Sequence, residues 1–330
     1  MIEIIAEIGS VHDGSFGNAK HLIKLVSELE ADTIKFQTHI AEAETLPDAP
    51  APPFFKGEQR FEYFKRTAFN SEQWSKLKIF AESEGIEFLS SPFCVEAVHL
   101  LEEIGIKRYK IPSGEVTNIP FLEVVASTRK PVLLSSGMSS WAELDLAVET
   151  ILKKHNKLVI LQCTSEYPCP YQQVGLNVML EMKERYKLPV GISDHTLTIF
   201  APIAAATLGA SVIEKHLTFS RKMYGSDARH SLEPPEFTQM VEGIRAVELM
   251  LGSKVNKGSA EQFRNMKEVF EKSIVLLEDL SAGSTLTKDN LGIKKPGTGI
   301  PARRLNEFVG RKTKCELKAN TLLKEEDLVA

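Results

Sequence analysis

Several protein classes are excluded by what the chain has little of. Only four cysteines occur in 330 residues, Cys94, Cys163, Cys169 and Cys315. They show neither the paired spacing of a zinc site nor the density of a disulfide scaffold, so they read as reduced, mostly buried thiols. No apolar run approaches the roughly 20 residues that cross a bilayer. The start, MIEIIAEIGS, has no basic segment followed by an apolar one, as a signal peptide would. No membrane partner is expected, and the location expected is cytoplasmic. An excess of positive charge is also missing. The formal net charge is −4, whereas nucleic-acid binders carry a basic field that replaces the counterions around phosphates. No nucleic-acid partner is expected, and any anionic ligand must be met by local charges. Compositional bias is absent too: 43% hydrophobic and 25% charged residues leave no case for disorder or a fibre.

What is present is an alternation of short apolar strands with amphipathic helices, the pattern of a parallel sheet covered by helices. Strands are expected at residues 2–8, 33–37, 86–91, 108–111, 132–135, 158–163, 190–192 and 212–215. Helices are expected at residues 18–29, 71–84, 95–104, 119–127, 140–154, 178–186, 200–208 and 235–251. In the first helix Leu22, Leu25, Val26 and Leu29 fall at i, i+3, i+4 and i+7, a stripe able to face a sheet. Eight strands with intervening helices suggest an α/β fold closed as a TIM (β/α)8 barrel. The connection over residues 40–70 is long, and its LPDAPAPPFF stretch resembles a surface excursion or an active-site flap.

A barrel of about 250 residues leaves room for a small companion. After Leu251 the polar GSKVNKGSAEQ reads as a linker. Short apolar runs with the turn signals SAGS and KKPGTG then suggest a compact unit with little helix, marginal alone and suited to docking. The organisation expected is a catalytic domain over 1–252, a linker over 253–272 and a C-terminal domain over 273–330.

Each expected strand ends in groups able to bind an anion, a metal or a carbonyl, which is where barrel enzymes keep their chemistry. Glu7 ends the first. Lys35, Gln37 and His39 lie on the second, Ser90 and Ser91 on the third, and Lys110, Ser113 and Glu115 on and after the fourth. Ser135 and Ser136 follow, then Gln162, Thr164 and Ser165, then Ser193, Asp194 and His195, then Glu214 and His216. Buried Lys and Glu are expensive unless paired or bound to something, so the set calls for a ligand. Lys35 and Lys110, alternating with Ser and Gly, suit a phosphate plus a carboxylate. His195 and His216 end adjacent strands, which brings two imidazoles together as a two-histidine metal site with open positions. Asp194 could ligate, orient or simply hydrogen-bond. His12, His39 and His230 are weaker candidates.

The motifs AEIGSVHDG, KFQTH, FLSSPF, YKIPSGE, LLSSGM, QCTSEYPCP, GISDHT and EKHLT, in that order, resemble the sialic acid synthase family. The similarity continues into the C-terminal module, where KKPGTGI looks like the signature of that family's antifreeze-like (SAF, β-clip) domain. The resemblance implies condensation of phosphoenolpyruvate with the open-chain aldehyde of a 2-acylamino hexose, N-acetylmannosamine or a 2,4-diacetamido-trideoxy hexose. The products would be a nine-carbon 2-keto acid and phosphate, with a divalent ion, Mn2+ or Mg2+, as cofactor. Carried over, Lys35, Ser91, Lys110, Ser113, Ser135, Ser165 and Ser193 would surround phosphoenolpyruvate, and His195 and His216 would hold the metal. Glu7, Gln37, Tyr167, Glu214 and Asp227 would lie around the sugar. Glu7 or Glu214 would move the proton, and Lys35 and Lys110 would stabilise phosphate and carboxylate charge. A domain-swapped homodimer is implied as well. Lys295 stands where family members that make ordinary sialic acid usually carry Arg, and an ammonium does not reproduce a planar guanidinium fork. Ser165 falls where relatives can carry Asn. Two rival readings are a Schiff-base aldolase using Lys35 or Lys110, and a non-catalytic carbohydrate-binding protein.

Overall fold

The computed structural model describes residues 1–50 and 57–329. The chain divides into two compact units, Met1–Ser253 and Lys254–Ala330. In the first, eight parallel strands alternate with helices: β1 (Glu3–Gly9), β2 (Thr33–Thr38), β3 (Glu87–Pro92), β4 (Tyr109–Ile111), β5 (Val132–Ser135), β6 (Leu158–Cys163), β7 (Val190–Asp194) and β8 (Val212–His216). Their order is β3-β2-β1-β8-β7-β6-β5-β4, and β3 packs against β4, so the sheet closes into a barrel. Local sequence sets the helix starts. Ser140 and Asn70 form capping boxes with Glu143 and Gln73, and Ser15 caps the helix Phe16–Glu28, each satisfying amide groups that the first turn leaves unpaired.

Strand residues alternate between the barrel interior and the helix layer. The outward set, including Ile4, Ala6, Ile34, Phe36, Ile160, Ile192 and Ile213, joins the helices in the main core. The inward set is layered. Arg108 plugs the bottom, bonded to Glu3, Glu87 and Thr33. Above it sits an apolar layer of Ile5, Leu89, Leu133, Leu161 and Val212. Two residues further along each of these strands come Glu7, Ser91, Ser135, Cys163 and Glu214, which all line one cavity. The period-2 geometry of a strand thus lifts a polar floor directly above a greasy one.

Three expectations need adjustment. The first helix buries Ala19, Leu22, Ile23 and Val26, with Leu25 and Leu29 partly buried against the same core, so the expected stripe faces the sheet with its centre shifted toward Ile23. The segment read as a linker contains a helix, Arg264–Phe270, so its polar composition reflects exposure rather than lack of structure. Of the Pro-rich connection, residues 51–56 lie outside the described residues, while its flanks form the helices Ala41–Glu44 and Arg60–Thr67. The cysteines follow expectation, three buried and Cys315 exposed.

The second unit pairs β9 (Ser273–Leu276) antiparallel with β10 (Leu291–Lys294). Its small core is built from Ile274, Leu276, Leu280, Leu286, Phe308 and Leu323, among others. Among the described residues, no helix is long and apolar enough to cross a membrane.

His12, in the loop after β1, packs against Phe69 with ring centroids 4.6 Å apart and accepts a hydrogen bond from Gly14 N at Nδ1. It does not line the cavity. Burial, aided by His39 and opposed by Asp227, lowers its pKa from 6.5 to about 4. The unfolded chain therefore holds a proton that the folded one rejects, and His12 stabilises the fold above pH 6.5 and loses that contribution as pH falls toward 4. Stability should fall through this window by up to about 1.4 kcal/mol per pH unit on account of His12. Urea unfolding of wild type and His12→Asn at stepped pH checks this: the variant should show the shallower slope, and equal slopes would refute it.

Candidate active site

The cavity opens at the C-terminal ends of the strands and has a volume of about 400 Å³. On its floor four buried charges meet. Lys35 Nζ lies 2.7 Å from Glu7 Oε2 and 3.6 Å from Glu214 Oε1, and Lys110 Nζ lies 3.3 Å from the same Glu214 oxygen. Ser193 donates to that oxygen at 3.0 Å, Lys35 donates to Ser91 at 3.2 Å, and Gln37 Nε2 donates to Glu7 Oε1 at 2.6 Å.

The two carboxylates are not equivalent. Burial tends to raise both, but around Glu214 the ammonium groups of Lys110 and Lys35 and the Ser193 hydroxyl overcome it and hold the pKa at about 2. At Glu7 burial wins: one ammonium and one amide do not offset it, Glu214 adds repulsion, and the pKa rises. Lys35 resists burial because two carboxylates flank it and moves up, whereas burial carries Lys110 down. Two neighbouring acids pushed apart in this way can take different roles, one a fixed anion and the other a group that exchanges its proton.

Above the floor, Gly137 makes room for a cradle. A Cβ there would lie 2.5 Å from Ser165 Oγ and 2.6 Å from Ser113 Oγ, so only glycine lets the two hydroxyls converge. Ser135 adds a buried hydroxyl with no hydrogen-bond partner among the described residues. Gly9, at φ +53°, plays a similar part on the other side. It admits the Asp227 carboxylate, which accepts from Ser10 N and Ser10 Oγ, each at 2.8 Å.

His195 and His216 have ring centroids 5.5 Å apart. His195 Nδ1 donates to Thr164 O at 2.8 Å, which leaves Nε2 as the acceptor facing the Tyr167 hydroxyl at 3.2 Å. Burial, with help from His195 and Lys35, keeps His216 neutral, with a pKa of about 3, and its Nδ1 is buried without a hydrogen-bond partner among the described residues. Among the described residues, no cluster of three or more His, Cys, Asp or Glu is arranged to hold a metal ion.

Glu7, Lys35, Gln37, Ser91, Lys110, Ser113, Ser135, Ser165, Tyr167, Ser193, His195, Glu214, His216 and Asp227 all line this one cavity. Lys295 belongs to the second unit, where its ammonium sits over the Phe270 ring at 4.9 Å. Asp194 turns away from the cavity, toward Thr196 and Lys215. His39 does line the wall, sandwiched between Phe64 and Phe93 and bonded to Gln37 and Glu44. Sequence reasoning missed Ser10, Arg60, Tyr63, Phe64, Phe93 and Cys163. Ser10 and Cys163 could have been found, since each adjoins a residue at a strand end. Arg60, Tyr63 and Phe64 lie in the connection read as a surface excursion or an active-site flap, which carries no strand-end signal to single out individual residues.

Fold and site together define an enzyme of the α/β-barrel class. Residues 22–256 match the NeuB family and residues 271–329 the SAF domain, and the chain belongs to the NeuB family. It is 36% identical to the N,N'-diacetyllegionaminic acid synthase of Campylobacter jejuni over 98% of each chain. With the N-acetylneuraminate-9-phosphate synthase of Homo sapiens it shares 32% identity over 98% of this chain and 91% of that one. Among solved structures, the N-acetylneuraminic acid synthetase of Leptospira borgpetersenii is similar at a TM-score of 0.71 and 30% identity, covering 80% of this chain and 90% of that one.

Glu214 balances two buried ammonium groups. Glu214→Gln should therefore cost about 3 kcal/mol or more of unfolding free energy without ligands, because it strands uncompensated charge. Denaturant unfolding of the ligand-free protein measures this, and a change below about 1 kcal/mol would contradict the assigned charge balance.

Proposed function

We propose that the chain is a nonulosonate synthase that joins phosphoenolpyruvate to the open-chain aldehyde of a 2-acylamino hexose, releasing phosphate and a nine-carbon 2-keto acid. The observation that carries the reading is the convergence of two buried lysines, the Gly137 hydroxyl cradle and two adjacent imidazoles in one cavity. The named synthases that align along nearly the whole chain support it.

The donor would lie on the floor, with Lys35 and Lys110 neutralising its phosphate and carboxylate and Ser113, Ser135 and Ser165 giving hydrogen bonds to their oxygens. Ser91, which accepts from Lys35, and Ser193, which donates to Glu214, would also lie around the donor. Gln37, Tyr167 and Asp227 face the space left for the sugar. The adjacent rings, with His195 Nε2 facing the Tyr167 hydroxyl and His216 held neutral, would hold a divalent ion, Mn2+ or Mg2+, which would supply Lewis-acid polarisation of the aldehyde oxygen. C3 of phosphoenolpyruvate forms the new bond to the aldehyde carbon, and water adds to C2. The bond from C2 to the phosphoryl oxygen then breaks as the C2 hydroxyl passes its proton to the departing phosphate, leaving the 2-keto group. Glu7, the carboxyl group pushed up by burial, gives a proton to the former aldehyde oxygen and takes one from the water. Glu214 stays ionised and keeps both lysines charged and placed. Lys295 and a homodimer belong to the same proposal.

The decisive experiment incubates the protein with phosphoenolpyruvate, manganese and a panel of acylamino hexoses. Phosphate release dependent on one of the sugars, and suppressed by a chelator, is expected; release with none of them, or a sugar-independent adduct trapped by borohydride, would overturn the proposal. Gly137→Ala, by filling the cradle, should raise KM for phosphoenolpyruvate at least about tenfold, roughly 1.4 kcal/mol of binding, with little change in KM for the sugar. Equal effects on both substrates would remove the cradle from the donor site.

A further inference from the structure

Lys215 is the odd residue of β8. Its neighbours Glu214 and His216 face the cavity, so Lys215 points outward, into the layer between sheet and helices, where its side chain has no solvent exposure. A charged ammonium in that layer costs several kcal/mol of desolvation, and replacing a buried ion pair with apolar residues is often neutral or stabilising. Stability alone gives no reason for it to be there.

Its contacts give another reason. Lys215 pairs in register with Asp194 of β7. The ammonium reaches Asp194 Oδ2 at 2.5 Å, the Thr196 carbonyl, and Thr196 Oγ1 at 3.3 Å. Asp194 in turn accepts from Thr196 N at 3.0 Å and from Thr196 Oγ1 at 2.8 Å. The residue held between these two is His195, and the residue after Lys215 is His216. On its other side His195 is tied by its ring to Thr164 O and by its carbonyl to Cys169 N. One buried side chain thus ties the Asp194 carboxylate and the Thr196 backbone carbonyl, on the two sides of one imidazole, from the position adjacent to the other.

We propose that Lys215, with Asp194, is a positioning residue that sets the spacing and direction of the His195 and His216 rings for a divalent ion. This rests on the metal reading of the two histidines. A ring on a loop whose carbonyl has lost its anchor samples more orientations, and the ion must then order it on binding. The effect therefore falls on metal affinity rather than on folding.

The test uses manganese alone, titrated into metal-free full-length protein and followed by the EPR signal of the free ion, beside denaturant unfolding. Lys215→Met should lose both stability and affinity, because it strands the Asp194 carboxylate. The neutral double variant Lys215→Met/Asp194→Asn should regain stability yet bind manganese about 10- to 100-fold more weakly than wild type, the range for residues that orient a metal ligand. Thr196→Val, which keeps the ion pair and removes only the hydroxyl, should weaken binding by a smaller factor. Wild-type affinity in both the double variant and Thr196→Val would reduce the pair to a structural role and overturn the proposal. A wild-type protein that takes up no manganese would instead remove the metal reading, and this inference with it.

Discussion

Two lysines and two carboxyl groups share the floor of the barrel almost entirely buried, and the rest of the site is arranged around that fact. Buried charges persist only when they compensate one another, and here the compensation is uneven. Glu214 is held by Lys110, Lys35 and Ser193, while Glu7 has Lys35 and an amide. The asymmetry keeps one carboxylate ionised and leaves its neighbour able to exchange a proton. It also leaves the lysines in place for an anionic ligand whose charge they can share. The apolar layer of Ile5, Leu89, Leu133, Leu161 and Val212 directly beneath maintains the low-dielectric setting in which these interactions are strong.

The same alternation that layers the barrel interior also separates roles on a single strand. On β8, Glu214 and His216 meet the cavity and Lys215 meets the helix layer. On β7, Ser193 bonds Glu214 inside while Asp194 bonds Lys215 outside. Chemistry on one face is therefore braced on the other by polar groups that never touch the cavity. Glycine supplies the complementary device. At Gly137 and Gly9 the missing Cβ lets hydroxyl and carboxylate groups approach the backbone more closely than any other residue would permit.

Much of the barrel was legible because a parallel strand buried on both faces reads as a short apolar run, and because helix starts carry capping residues such as Ser140 and Asn70. The polar residue closing each run then marked the strand end, and with it the site. The inferred roles were less secure where contact geometry decides them. Asp194 looked as able to ligate as to brace. The first helix buries Ala19 and Ile23 more deeply than Leu25 and Leu29, which its i, i+3, i+4 spacing had put in the stripe. The aromatic wall of Phe64 and Phe93, which holds His39, left no trace in the pattern, because two segments distant in sequence have to meet before it exists.

The sequence by itself determined that this is a strand-helix barrel with a small second unit, and which ionisable residues stand at the rim, because periodicity and strand ends are local properties of the chain. Which carboxylate is anchored and which can trade its proton, where Asp194 points, and which groups Lys215 meets were decided only by the tertiary structure. Burial and charge compensation are set by which side chains the closed barrel brings within a few ångströms of one another, and no local pattern encodes that.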